Sequence, residues 1–95
     1  MSRTSRVVVI DVRGELDAGT CVPVVDAIDA AGLFDGEVVI VDTSALTFID
    51  SGGRRALDQA CRRAHAVFVP GRAVERFDRL LSRALRTPTL AATAR

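Results

Sequence analysis

The chain contains no lysine, no tryptophan and no tyrosine, and only one histidine in 95 residues. Each absence excludes some chemistry. Without lysine, no ammonium group is available to neutralise an acyl phosphate. Asp42, which ends an apolar run as a phosphoacceptor aspartate would, therefore reads as a carboxylate bonding to its own loop. Cys21 and Cys61 lie far apart, with no CxxC pair and only His65 as a further soft ligand, so the sequence offers no metal site. Both read as reduced thiols in or near the core. His65 has no Ser/Asp partners for nucleophilic catalysis, and no cofactor motif is present. No apolar run approaches about 18 residues, so no membrane insertion is expected. The opening MSRTSRVVVIDVRG has no small-residue cleavage site, and a cytoplasmic protein is expected.

What is present suits one small α/β domain. The composition is 48% hydrophobic and 26% charged, enough to bury a core and keep a solvated surface. A single domain over 1–95 is expected, with 1–6 and 91–95 frayed. The net charge of +1 hides a segregation: residues 1–50 hold nine acids and three arginines, residues 51–95 three acids and ten arginines.

The apolar periods alternate. Val7 to Val12 is β-branched and reads as a strand, punctuated by Gly14 and Asp17. Val22, Val25, Ile28 and Ala31 mark one helix face over residues 20 to 31, capped by Asp17 or Thr20, with Pro23 tolerable in the first turn. Gly32 and Asp35-Gly36 close that unit. Val38 to Val41 is a second strand. Leu46, Phe48 and Ile49 lead to Asp50, and a helix with Ala56, Leu57, Ala60, Cys61 and Ala64 on one side follows from Ser51. A third strand, 66–69, stops at Pro70-Gly71. A third helix places Val74, Phe77, Leu80, Leu81, Ala84 and Leu85 opposite Arg72, Arg76, Arg79 and Arg83. Residues 87–90 read as a short last strand. The pattern predicts a mixed or mostly parallel sheet of about four strands packed against helices. Functional loops then gather at the strands' C-terminal ends: Gly14 to Asp17 and Thr43 to Gly53.

The stretch Asp50-Ser51-Gly52-Gly53 supports two readings. Asp50 or Ser51 can cap a helix whose first N–H groups are otherwise unpaired, and the glycines admit a close neighbour. Equally, a hydroxyl exposed at a helix N-terminus is a phosphate acceptor, and the phosphate would add about −1.5 to −2 charges to any interface docked there. Thr43, Ser44 and Thr47, in the same loop, read as structural.

Four stretches, RGELDAGT, VIVDTSALTFIDSGG, GRRALDQACRRA and VPGRAVERFDRLL, resemble the STAS domains, the anti-sigma factor antagonists of bacteria. The resemblance implies a non-catalytic protein-interaction module. Its expected partner is an anti-sigma factor, usually a histidine-kinase-like serine kinase, that phosphorylates the antagonist to break the complex. In that family the acceptor is usually the second hydroxyl residue after the Asp. Asp50 matches the Asp, Ser51 the first hydroxyl, Gly52 the acceptor position and Gly53 the glycine. Asp17 matches the acidic residue of the facing loop. Either Ser51 takes the phosphate one position early, or the domain is not switched in this way, which is the favoured reading. Asp17, Asp50, Ser51, Gly52, Gly53 and Arg54 are the expected partner-binding residues. The alternative is a STAS subunit of a stressosome-type or lipid-transport complex without a phosphorylation cycle. Only six residues precede the first strand, so an edge strand of the family is expected to be missing, leaving an edge for a homodimer.

VIVDTSAL also resembles the opening of PIN-type ribonucleases. Those domains need further acids, and only Asp50, Asp58, Glu75 and Asp78 follow, three of them on arginine-flanked helix faces. Arg54, Arg55, Arg62 and Arg63, with the arginines from Arg72 to Arg86, read first as solvated helix faces and next as a surface for an acidic protein. Nucleic acid comes last.

Overall fold

The β-branched runs do form strands. In the computed structural model, which describes residues 6–33 and 36–93, the elements follow in the order β1 (Arg6–Asp11), β2 (Gly14–Leu16), α1 (Val22–Ala31), β3 (Glu37–Asp42), β4 (Leu46–Ile49), α2 (Ser51–Ala64), β5 (Val67–Val69) and α3 (Arg72–Thr93). Strands β1, β3 and β5 form one sheet in the order β1-β3-β5, and β2 and β4 form a second pair. Every one of these pairings is parallel. The α/β class and parallel character agree with the sequence reading. The single sheet of about four strands is corrected to three strands plus two. The loops after β1 and β3 each contain a short strand of three or four residues.

Alternation along β3 buries Val39 and Val41 and leaves Val38 outside. The inner face meets Ile28 of α1, Leu57 and Ala60 of α2 and Val74 of α3, all almost wholly buried. Burying a side chain such as Ile28 or Leu57 contributes about 1.5–3 kcal/mol before chain entropy is set against it. Helices α1 and α2 approach closely at Gly32, where a Cβ would lie 2.8 Å from the Ala64 Cβ. Arg63 clasps Asp29 across the same contact at 3.1 and 3.2 Å. At the end of α2, His65 takes a left-handed conformation (φ 52°), and its N–H and that of Ala66 close on the carbonyls of Arg62 and Cys61.

Three local expectations are corrected. Neither Asp17 nor Thr20 caps α1. Cys21 holds the N-cap position without a side-chain bond, because Asp17 and Thr20 are bonded to each other. Pro23 does sit in the first turn. Residues 87–90 belong to α3 and form no strand: the residues on either side, Ala84 and Leu85 before them and Ala91 and Ala92 after, are good helix formers. Arg6, expected to fray, pairs with Glu37 in the sheet. Residues 1–5, Asp35 and 94–95, on which other end and turn expectations fall, lie outside the described residues. Among the described residues, β1 has a strand neighbour on one side only.

Candidate functional site

The pairing of β2 with β4 sets Leu16 beside Ile49, so the residues that follow, Asp17 and Asp50, leave the two strands side by side. The N–H of Asp50 donates to the Leu16 carbonyl at 3.2 Å. The sequence expectation that the two loops meet at one edge is met in this way.

Asp50 is the N-cap of α2. Its backbone is extended, and its Oδ1 accepts from the Gly53 N–H at 2.7 Å. That bond satisfies one of the unpaired donors of the first turn and contributes about 1 kcal/mol. Asp17 is similarly occupied. Its Oδ1 accepts from the N–H of Gly19 (2.8 Å), the N–H of Thr20 (2.9 Å) and the Thr20 hydroxyl (3.1 Å). Both carboxylates thus hold loop backbone.

The glycines have a reason beyond the cap. A Cβ at Gly53 would lie 2.5 Å from the Leu16 carbonyl oxygen, and one at Gly52 would lie 2.7 Å from the Ala18 Cβ. The 17–20 turn is pressed directly onto the start of α2, and only residues without a side chain fit beneath it. Ala18 was not singled out from the sequence. Nothing local marks it, since its role appears only once the turn is set on the helix.

Ser51 is exposed at the first helical position. It opens onto a groove of about 340 Å³ walled by Arg54, Arg55 and Asp58 of α2 and by Phe77, Asp78 and Leu81 of α3. Arg54 spans this groove. Its Nε and Nη2 donate to the two Asp78 carboxylate oxygens at 3.1 and 3.4 Å, and its guanidinium lies 5.1 Å from the centre of the Phe68 ring. Arg54 is therefore engaged within the chain, although sequence reasoning grouped it with the loop. Arg62 pairs with Asp58 at 2.6 Å, so part of the arginine surface is already neutralised.

The remaining loop hydroxyls are structural. The Thr43 hydroxyl, fully buried, donates to the Val69 carbonyl (2.8 Å) and accepts from the Gly71 N–H (3.0 Å). The Thr47 hydroxyl donates to the Gly14 carbonyl at 2.9 Å. Asp42 accepts from the Ser44 N–H at 2.9 Å, as its position predicts. The Ser44 backbone and hydroxyl hold its carboxyl below the ordinary carboxylate range. Burial, with the Asp58 carboxylate adding to it, pushes the Cys61 thiol up, which favours the unreactive protonated form.

Among the described residues, no three His, Cys, Asp or Glu side chains are grouped so as to hold a metal ion, and no helix is long and apolar enough to cross a membrane. The family description matching this chain is the STAS domain, over residues 1–69, from the N-terminus to the last residue of β5. No curated protein matches the chain. A parallel α/β core whose paired β2 and β4 deliver a capped helix start under a facing acidic turn is thus matched over more than two thirds of its length, and the chain belongs to the STAS domain family, the family of anti-sigma factor antagonists.

Proposed function

We propose that the protein is a non-catalytic antagonist that binds an anti-sigma factor, of the histidine-kinase-like serine kinase type, in the cytoplasm. Its binding surface is the 17–20 turn together with the start of α2: Asp17, Asp50, Ser51, Gly52, Gly53 and Arg54. STAS domains interact with other proteins in general and are generally non-catalytic. The specific reading rests on the likeness of this loop to the family's phosphorylation loop.

The observation that carries the regulatory part is the contact of Gly52 with Ala18. The family's usual acceptor position holds a residue without a hydroxyl, and the space a side chain would need is filled. The complex is then not opened by phosphorylation at position 52, and the antagonist binds whenever it is present. Ser51, one position earlier and exposed, is the remaining hydroxyl at this helix start.

Affinity capture of the tagged chain from its own host, with mass spectrometry of the retained proteins, tests this reading. Recovery of a kinase-type ATPase in stoichiometric amount, with an unmodified Ser51 peptide, is the expected result. Recovery of a transporter or a stressosome-type assembly in its place overturns the anti-sigma assignment. A phosphorylated Ser51 peptide overturns the constitutive one.

A further inference from the structure

The three-stranded sheet has two unlike faces. Val8, Ile10, Val39, Val41 and Phe68 turn towards the helices. Val7, Val9, Val38, Val67 and Val69 turn away, with Ile40 between them in register. These five valines are 38–60% exposed. Three strands about 4.8 Å apart and about five residues at about 3.3 Å give a footprint of roughly 14 by 17 Å. An exposed apolar patch of a few hundred Å² marks an interaction site on a folded protein.

The size of the patch limits what covers it. Two copies stacking these faces alone would bury far less than the roughly 1,200 Å² of a specific interface. The patch does have the width of one helix, about 10 Å, and the length of about eleven helical residues.

The chain carries such a helix. The first turns of α3 pack on the core through Val74 and Phe77. From there the helix continues to Thr93, with Leu80 and Leu81 about half exposed. The turns from Leu80 to Thr93 span about 20 Å at about 1.5 Å per residue. Arg76 and Arg79 stand exposed in the turn just before that stretch. On the valine face, Asp11 and Asp42 lie side by side at the end of the strands. Arg13 pairs with Asp11 at 2.8 Å, and its charge also acts on Asp42. The charge segregation of the whole chain, acidic in its first half and arginine-rich in its second, gives each copy the complement of its partner.

We propose that the protein forms a reciprocal dimer in which the turns of α3 from Leu80 onward lie across the valine face of a second copy, with Arg76 and Arg79 towards Asp11 and Asp42. The arrangement is isologous, so each copy gives one helix and receives one. Two such contacts bury about 1,000 Å² in all, at the low end of specific interfaces, where association is weak. The apolar face, and not the sheet edge, is then the dimerising surface.

Sedimentation velocity on the full chain, from low to high micromolar, tests the proposal. The wild type shifts from monomer to dimer with concentration. Val9→Glu, on the sheet face, and Leu80→Glu, on the helix, each weaken association by at least about tenfold. Both sites are exposed, and far-UV circular dichroism confirms the fold; Val7→Glu serves if Val9→Glu does not fold. A monomer at every concentration overturns the proposal and gives the face to a different protein. So does a Leu80→Glu variant that dimerises normally, which indicates face stacking or edge pairing.

Discussion

Ala18 occupies the place a side chain at position 52 would need: a Cβ built on Gly52 lies 2.7 Å from the Ala18 Cβ and 3.3 Å from its Cα. Two carbons attract best at about 3.5–4.0 Å, so one of the two positions must be small for the turn to seat on the helix. Gly52→Ser therefore does not simply restore an acceptor hydroxyl. It lifts the turn and is expected to cost about 1–3 kcal/mol of stability. Ala18→Gly together with Gly52→Ser is expected to recover part of that loss, with a coupling of about 0.5–3 kcal/mol in a double-mutant cycle by urea unfolding. Additive losses would mean that the two residues do not compete for the same space. The paired variant, not Gly52→Ser alone, is the proper substrate for testing whether a kinase labels position 52.

The extent to which this site could be read from the sequence follows from the range of the interactions involved. Strands β1, β3 and β5 and the three helices announce themselves through local periods, and Asp50 as a cap is a local feature. Strands β2 and β4 are three and four residues long, carry Glu15 and Thr47 among their apolar residues, and pair with a register shift between Gly14 and Glu15. No local pattern encodes that pairing. The contact of Ala18 with Gly52 depends on it, and the engagement of Arg54 by Asp78 and Phe68 depends on packing between elements far apart in the chain. The residue types at the site were legible. Which of them are held by their own backbone was not: Asp17 and Asp50 look equally free to meet a partner until their hydrogen bonds are counted.

Thr43 joins the loop after β3 to the start of α3. Thr43→Val keeps the shape and removes the hydroxyl. The Val69 carbonyl remains satisfied by the Thr43 N–H at 3.0 Å. The buried Gly71 N–H loses its acceptor. A loss of about 1–3 kcal/mol is expected by urea unfolding, with Thr43→Ser largely retaining stability. An unchanged midpoint for Thr43→Val would mean that water replaces the hydroxyl.

Asp42 makes stability depend on acid. Its carboxyl is held below the ordinary range by the Ser44 backbone and hydroxyl. A folded-state value depressed in this way gives a contribution fully present above the unfolded value, about 3.9, and lost as the pH falls towards the lower folded value. Thermal melts of Asp42→Ala and wild type should differ at neutral pH, the variant melting lower. The gap should close as the pH falls below about 3.9. A gap independent of pH would assign the difference to packing and not to the charge.

Ser51→Asp should move stability and binding in opposite directions. The position is the first residue of α2, where the unpaired N–H groups favour negative charge, and Arg54 and Arg55 follow one turn later. The isolated chain is therefore expected to gain about 0.3–1 kcal/mol. At the proposed binding surface the same carboxylate adds charge beside Asp50, and affinity for the captured partner is expected to fall about tenfold, as read by calorimetric titration. Loss of both stability and binding would mean that the substitution disturbs the helix start. Gain of stability with unchanged affinity would place the partner elsewhere on the domain.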